Sequence, residues 1–221
     1  MATIEVIYTG SCEDGHQASS ATHPDDALIW TFGTADKSSD ALAELSRVTE
    51  TTPDAGADTE FDPLRAAERL RERLATAPMP THYFEGTSVA AMVDGIVALS
   101  QTRGIRPRKI VFEDHGILGL LFMGQDAVTT HTLPSFQRDL ARLSECFVST
   151  TEIYLLHCFA FADEGVLARE LSAVLGCPIY GGVWAQAIGN QAYEGPVRRA
   201  TADEVVCVDK LSLSDAVLHF D

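Results

Sequence analysis

Lys109-Ile110-Val111-Phe112-Glu113-Asp114-His115-Gly116-Ile117-Leu118-Gly119-Leu120-Leu121-Phe122 is the most informative stretch of the chain. Lys109 to Glu113 has strand character and runs directly into Asp-His-Gly. In an open α/β sheet, binding and chemistry collect at the carboxyl ends of the strands. A histidine next to a glycine at such an end is therefore a candidate site. The apolar run Leu118 to Met123, closed by Gly124, reads as a short hairpin-like excursion.

Outward from this stretch, strands and helices alternate. Upstream, Thr3 to Tyr8 reads as a strand, Thr9 to Asp26 as a polar loop, and Leu28 to Phe32 as a short apolar strand candidate. Ser39 to Val48 reads as a helix capped by Ser38, Ser39 or Asp40. Residues 49–62 are acidic and linker-like, an inserted or cleavable loop. Asp62 and Pro63 open a further helix over Leu64 to Ala75. His82 to Glu85 is a short strand. Val89, Met92, Val93, Ile96 and Val97 recur at helical spacing and predict a helix capped by Thr87 or Ser88. Arg103 to Arg108 is a basic turn closed by Pro107.

Downstream, Leu133 to Phe147 reads as a helix with Pro134 in its first turn. Glu152 to His157 is a nearly continuous apolar run, as a strand buried on both faces has. Asp163 caps a helix with Val166, Leu167, Leu171, Val174 and Leu175 on its apolar face, and Gly176 ends it. Pro178 to Ile188 is a strand interrupted by Gly181-Gly182. Val205 to Val208 closes the sheet edge or forms a hairpin. Crossover helices between strands imply parallel pairing. The expectation is one α/β domain over residues 1–221, with a mostly parallel sheet and helices on both faces.

The charge excludes some functions. Sixteen Lys and Arg stand against 32 Asp and Glu, a net charge of -16. Phosphate backbones need clustered cations, so neither nucleic acid nor an anionic membrane is an expected partner. No apolar run is long enough to span a bilayer. Five cysteines (Cys12, Cys146, Cys158, Cys177 and Cys207) are widely spaced, without a CxxC. That pattern predicts reduced thiols, a cytoplasmic location, and neither a disulfide framework nor a structural zinc site. No metal or cofactor is expected. Calcium is conceivable with so many carboxylates, but no EF-hand-like spacing occurs.

Cys158 ends the second strong strand and precedes Phe159-Ala160-Phe161-Ala162. Strand alternation sends Tyr154, Leu156 and Cys158 to one face, and Ile153, Leu155 and His157 to the other. A following helix N-terminus would favour the thiolate. If the two strands are neighbours, His115 and Cys158 leave the same sheet edge. That is what a cysteine nucleophile and its base require. The N–H groups of Gly116 and Cys158 then form a candidate oxyanion hole. Asp114 lies on the opposite face by alternation and is not expected in the dyad. His131 is an alternative base only if the loop after Gly124 folds back. Cys146 and Cys177 read as core or boundary residues.

Asp114-His115-Gly116, Gly119 and the apolar run after it resemble the His-Gly motif of the caspase-like (clan CD) cysteine peptidases, at this spot most of all the legumain type. Ile153 to Cys158 resembles the strand that ends in that clan's nucleophile. The order of elements from Tyr83 to Gly176 is similar too, about half of the chain. The resemblance implies a caspase-hemoglobinase fold, a three-layer α-β-α sandwich as in legumain- and gingipain-like domains. It implies a Cys158/His115 dyad cleaving a peptide or protein through an acyl-enzyme. By position it places the substrate-binding wall at Gly182 and Trp184. The sequence around the cysteine departs from the clan's motifs, with bulky Phe159 directly after it. Two alternatives therefore stay open: a caspase-fold binding or scaffold module without catalysis, and a different α/β enzyme or ligand binder. Oligomeric state is not legible.

Overall fold

A computed structural model of the chain describes residues 4–5, 26–33, 37–51, 81–186, 193 and 195–208. In chain order these form β1 (Ile4–Glu5), β2 (Asp26–Gly33), α1 (Ser39–Thr51), β3 (Thr81–Gly86), α2 (Val89–Arg103), β4 (Arg106–Glu113), β5 (Gly116–Ile117), β6 (Leu120–Met123) and β7 (Asp126–Val128). There follow α3 (Leu133–Ser144), β8 (Glu152–Leu155), α4 (Val166–Leu175), β9 (Ile179–Gly182), β10 (Val197–Ala200) and β11 (Val205–Val208). The polar loop with Cys12, most of the acidic loop and the helix expected over Leu64 to Ala75 lie outside the described residues.

The main sheet has the order β1-β3-β2-β4-β8-β9-β10-β11. Strands β3, β2, β4, β8 and β9 pair in parallel, while β1, β10 and β11 join antiparallel. The sheet is therefore mixed, with a parallel centre and antiparallel margins. The expectation of a mostly parallel sheet missed the margins: β10 and β11 follow β9 in sequence and need no crossover helix, while β1 joins β3 from a distant part of the chain. Val205–Val208 does close the edge, as the second strand of a hairpin with β10.

Helices α2, α3 and α4 pack side by side on one face of the sheet. Helix α2 follows from its sequence. Ser88 has extended backbone and its side chain accepts from Ala91 N at 3.1 Å, which satisfies one orphan donor of the first turn. Val89, Met92, Val93, Ile96 and Val97 are buried as the spacing predicts. They meet Ile110 and Phe112 of β4, Ile153 and Leu155 of β8, and Leu167 and Leu171 of α4 in one apolar core. Each such side chain contributes about 1.5–3 kcal/mol on burial. The opposite face is covered as well, since Tyr83, Val111 and Tyr154 are buried. Helix α1 packs on the small three-stranded sheet β5-β6-β7, where Ala41 and Val48 meet Ile117, Leu120 and Phe122.

Several boundaries differ from expectation: β2 is longer than Leu28 to Phe32, and α3 ends at Ser144 rather than Phe147, which leaves Cys146 outside it. Strand β4 begins at Arg106, so Pro107 lies inside a strand. The register there shifts from Ala27–Pro107 to Leu28–Lys109, a bulge that tolerates a residue without an N–H. Helix α1 runs on to Thr51, taking three residues from the acidic loop. Strand β8 stops at Leu155 rather than His157, and β9 stops at Gly182 rather than Ile188. The two shorter strands leave the residues after them free to turn, and those turns build the site.

Candidate active site

Strands β4 and β8 are parallel neighbours, with Phe112 opposite Leu155. His115 and Cys158 each lie three residues beyond this pair, at matching positions off the same sheet edge. The hydrogen bond from Leu156 N to Phe112 O (2.9 Å) carries the pairing one step past the strand end. Both residues are half-buried. Between them stands Gly116. A Cβ on it would lie 2.4 Å from Cys158 O, 2.9 Å from His157 Cβ and 3.3 Å from Cys158 N. The His-Gly turn and the cysteine turn are thus packed backbone against backbone, as closely as a residue without a side chain allows. The segments that carry the two expected oxyanion donors are in contact.

The cysteine turn is itself held in an unusual shape. Phe159, directly after the thiol, has a φ of 57°. A bulky residue in the left-handed region stores strain that its surroundings must hold. Phe159 N donates to Trp184 O (3.0 Å) and Phe161 N to Gly182 O (3.1 Å), which lashes the turn to the end of β9. The Phe161 ring lies against Gly181, where a Cβ would approach it to 2.6 Å. Gln186 N donates to Cys158 Sγ at 3.2 Å, and the thiol reaches Gln186 O at 3.5 Å.

The helix N-terminus expected to act on the thiol begins only at Val166. Gly165, in the left-handed region, is the cap residue rather than Asp163, which stands two residues earlier with its carboxylate accepting from Gly165 N (3.0 Å) and Leu167 N (3.1 Å). Those donors are engaged there, and a backbone N–H from after β9 reaches the sulfur. Gln186 was missed because the sequence reads as strand at that point. Trp184, next to the cysteine turn, is 58% exposed, a large apolar ring left in solvent. Gly182 sits beneath the Gln186 side chain.

The histidine turn is anchored by charge. Asp114 is buried. Its Oδ1 accepts from His115 N (2.7 Å) and its Oδ2 from Gly124 N (2.8 Å). Lys37 Nζ donates to both carboxylate oxygens at 2.9 Å and to Gly124 O at 2.8 Å, and lies 4.7 Å from the centre of the Phe122 ring. Burial pushes the Asp114 carboxyl upward, and Lys37 with the two N–H groups opposes that. Asp114 thus serves its own turn and Lys37. Lys37 carries no motif, and its partner is 77 residues away, so the sequence gives no sign of the pair.

His157 is fully buried. Its ring Nε2 donates to Phe122 O at 2.7 Å, and Nδ1 has no hydrogen-bond partner among the described residues. Burial pushes its pKa down to about 3, and the nearby Lys37 and His115 push the same way. It is therefore a neutral strut between the cysteine turn and the hairpin. His131 is exposed at the start of α3, where Thr132 precedes the helix. Cys146 lies just past α3, and Cys177 is a core residue whose thiol burial pushes up to about 12. Among the described residues no group of three metal-binding side chains occurs, and no helix is long and apolar enough to cross a membrane.

No family model matches this chain, and no curated protein does. Among solved structures it is similar to an inactive zymogen C11 protease from Parabacteroides distasonis, at 12% identity and a TM-score of 0.39. The match covers 83% of this chain and 63% of that one. A likeness that slight fixes neither fold family nor chemistry.

Proposed function

We propose that the chain is a cysteine endopeptidase with a Cys158/His115 dyad. The observation that carries this is the contact at Gly116, which brings the turns of a half-buried thiol and a half-buried imidazole together off one sheet edge. His115 takes the Cys158 proton, and the sulfur attacks the peptide carbonyl carbon. The N–H groups of Gly116 and Cys158 receive the developing oxyanion. The C–N bond breaks as His115 returns the proton to the leaving amine, and an acyl-thioester remains. Water, activated by His115, then releases the acid and the free thiol. Trp184 and Gly182, tied to the cysteine turn, supply the wall against which the peptide lies.

The test is a peptide library incubated with the full chain and read by mass spectrometry for new N-termini. Cleavage by wild type that disappears in Cys158→Ala is the expected result. Cleavage that persists in Cys158→Ala, or none by either protein, overturns it. One observation favours a second reading, the non-catalytic binding or scaffold module: the backbone of Gln186 already engages the thiol. In that case Cys158 is inert toward small electrophiles as well as toward peptides.

A further inference from the structure

We propose that Lys37 and Asp114 are positioning residues, and that their ion pair, with the carboxylate buried and the lysine half-buried, holds the His115-Gly116 turn in the orientation that makes Cys158 reactive. This rests on the dyad reading and adds to it a part supplied from the far end of the chain. Three segments converge on the pair: the approach to α1 through Lys37, the end of β4 through Asp114, and the β6–β7 turn through Gly124. The Asp114 carboxylate fixes the direction of the N–H of His115 itself. On its other side, Phe122 N donates to His115 O at 2.9 Å, and Phe122 O accepts from His157. The backbone of His115 is thus held at both its N–H and its C=O by groups that meet around Lys37.

Space has been made for this arrangement. Gly33 ends β2 at the carboxylate, and a Cβ there would lie 1.9 Å from Asp114 Oδ2. Apolar side chains of similar volume would hold the hairpin as firmly or more so, because a buried ion pair repays its desolvation poorly. They could not accept the N–H of His115. Directional hydrogen bonding is the one service the charged pair provides that packing does not.

That difference gives the test. Lys37→Met leaves a buried carboxylate without its cation, and a variant of that kind can fail to fold. The double variant Lys37→Met/Asp114→Leu removes both charges together, so neither is stranded, and is expected to fold with a somewhat lower melting temperature because the N–H groups of His115 and Gly124 lose their acceptor. Cys158 alkylation by iodoacetamide is followed against pH for wild type, His115→Ala, Lys37→Arg and the double variant. The positioning role predicts that the double variant is folded, yet labels Cys158 at least about tenfold more slowly near pH 6, where an unactivated thiol is mostly protonated. Lys37→Arg retains most of the wild-type rate. A folded double variant that labels at the wild-type rate overturns the positioning role while leaving the dyad intact. Wild-type labelling that ignores His115→Ala overturns the dyad, and this proposal falls with it.

Discussion

At the amino end of the central strands, Cys177 is buried, its carbonyl accepts from Ser172 Oγ (2.7 Å), and Glu152 receives the hydroxyls of Tyr154 (2.7 Å) and Tyr180 (3.2 Å). At the carboxyl end, Cys158 is half-buried, His115 faces the same edge, and the buried charges hold backbone. The two ends share residue types: a cysteine, a carboxylate and a lysine, the last being Lys109 over the Tyr154 ring at the amino end and Lys37 at the carboxyl end. At the amino end burial pushes the Cys177 thiol and the Tyr180 phenol up to about 12 and keeps them neutral. At the carboxyl end the polar groups fix a turn and leave a thiol and an imidazole within reach of solvent. Burial with hydrogen bonds satisfied makes structure, whereas partial exposure on a rigid frame makes a site.

The largest contrast is expected from the two carboxylates. Asp114→Ala strands Lys37 without its partner and should cost about 3–5 kcal/mol in denaturant unfolding. Glu152→Gln keeps one oxygen acceptor and replaces the other with an amide N–H that a tyrosine oxygen can accept, leaves no charge stranded, and should cost about 0.5–1.5 kcal/mol. Equal costs would erase the distinction between the ends. Gly116→Ala comes next. The added methyl group meets the Cys158 carbonyl, so about 1–3 kcal/mol of stability should be lost together with Cys158 reactivity.

His157 sharpens the comparison through pH. Its folded pKa, about 3, lies below the ordinary 6.5. Below 6.5 the unfolded chain takes up a proton that the folded chain refuses. Stability is therefore fully present above pH 6.5 and falls by about 1.4 kcal/mol per pH unit from there toward pH 3. His157→Gln should flatten that limb of the stability curve, and an unchanged limb would show that the strut titrates normally. The smallest effect belongs to the amino end. Ser172→Ala removes one buried hydrogen bond, should cost about 1 kcal/mol, and should leave Cys158 labelling unchanged.

What could be read from sequence divides along the same line. Helix α2, its Ser88 cap and the apolar runs of β4 and β8 were legible because their signals are local and periodic. His115 and Cys158 were legible as strand-end residues. Lys37 was not. It is one of three lysines in the chain, its partner is 77 residues away, and nothing local marks a side chain for a distant buried carboxylate. Gln186 and the stop of β9 at Gly182 were hidden for a related reason. The apolar residues around them fit a strand, and the bonds that carry Gly182 O and Trp184 O to the cysteine turn are long-range, with no local signal. Pro107 argued for a turn until the bulge in β4 gave it a place within the sheet.

The central claim is that His115 activates Cys158, and Cys177 is the internal control. Native wild type and His115→Ala are labelled with iodoacetamide from about pH 5 to 9, and the rate at each cysteine is read by peptide mass spectrometry. The account predicts fast labelling of Cys158 near pH 6 that slows markedly in His115→Ala, with Cys177 silent in both. Cys158 labelling that is as slow as Cys177, or indifferent to His115, would contradict it.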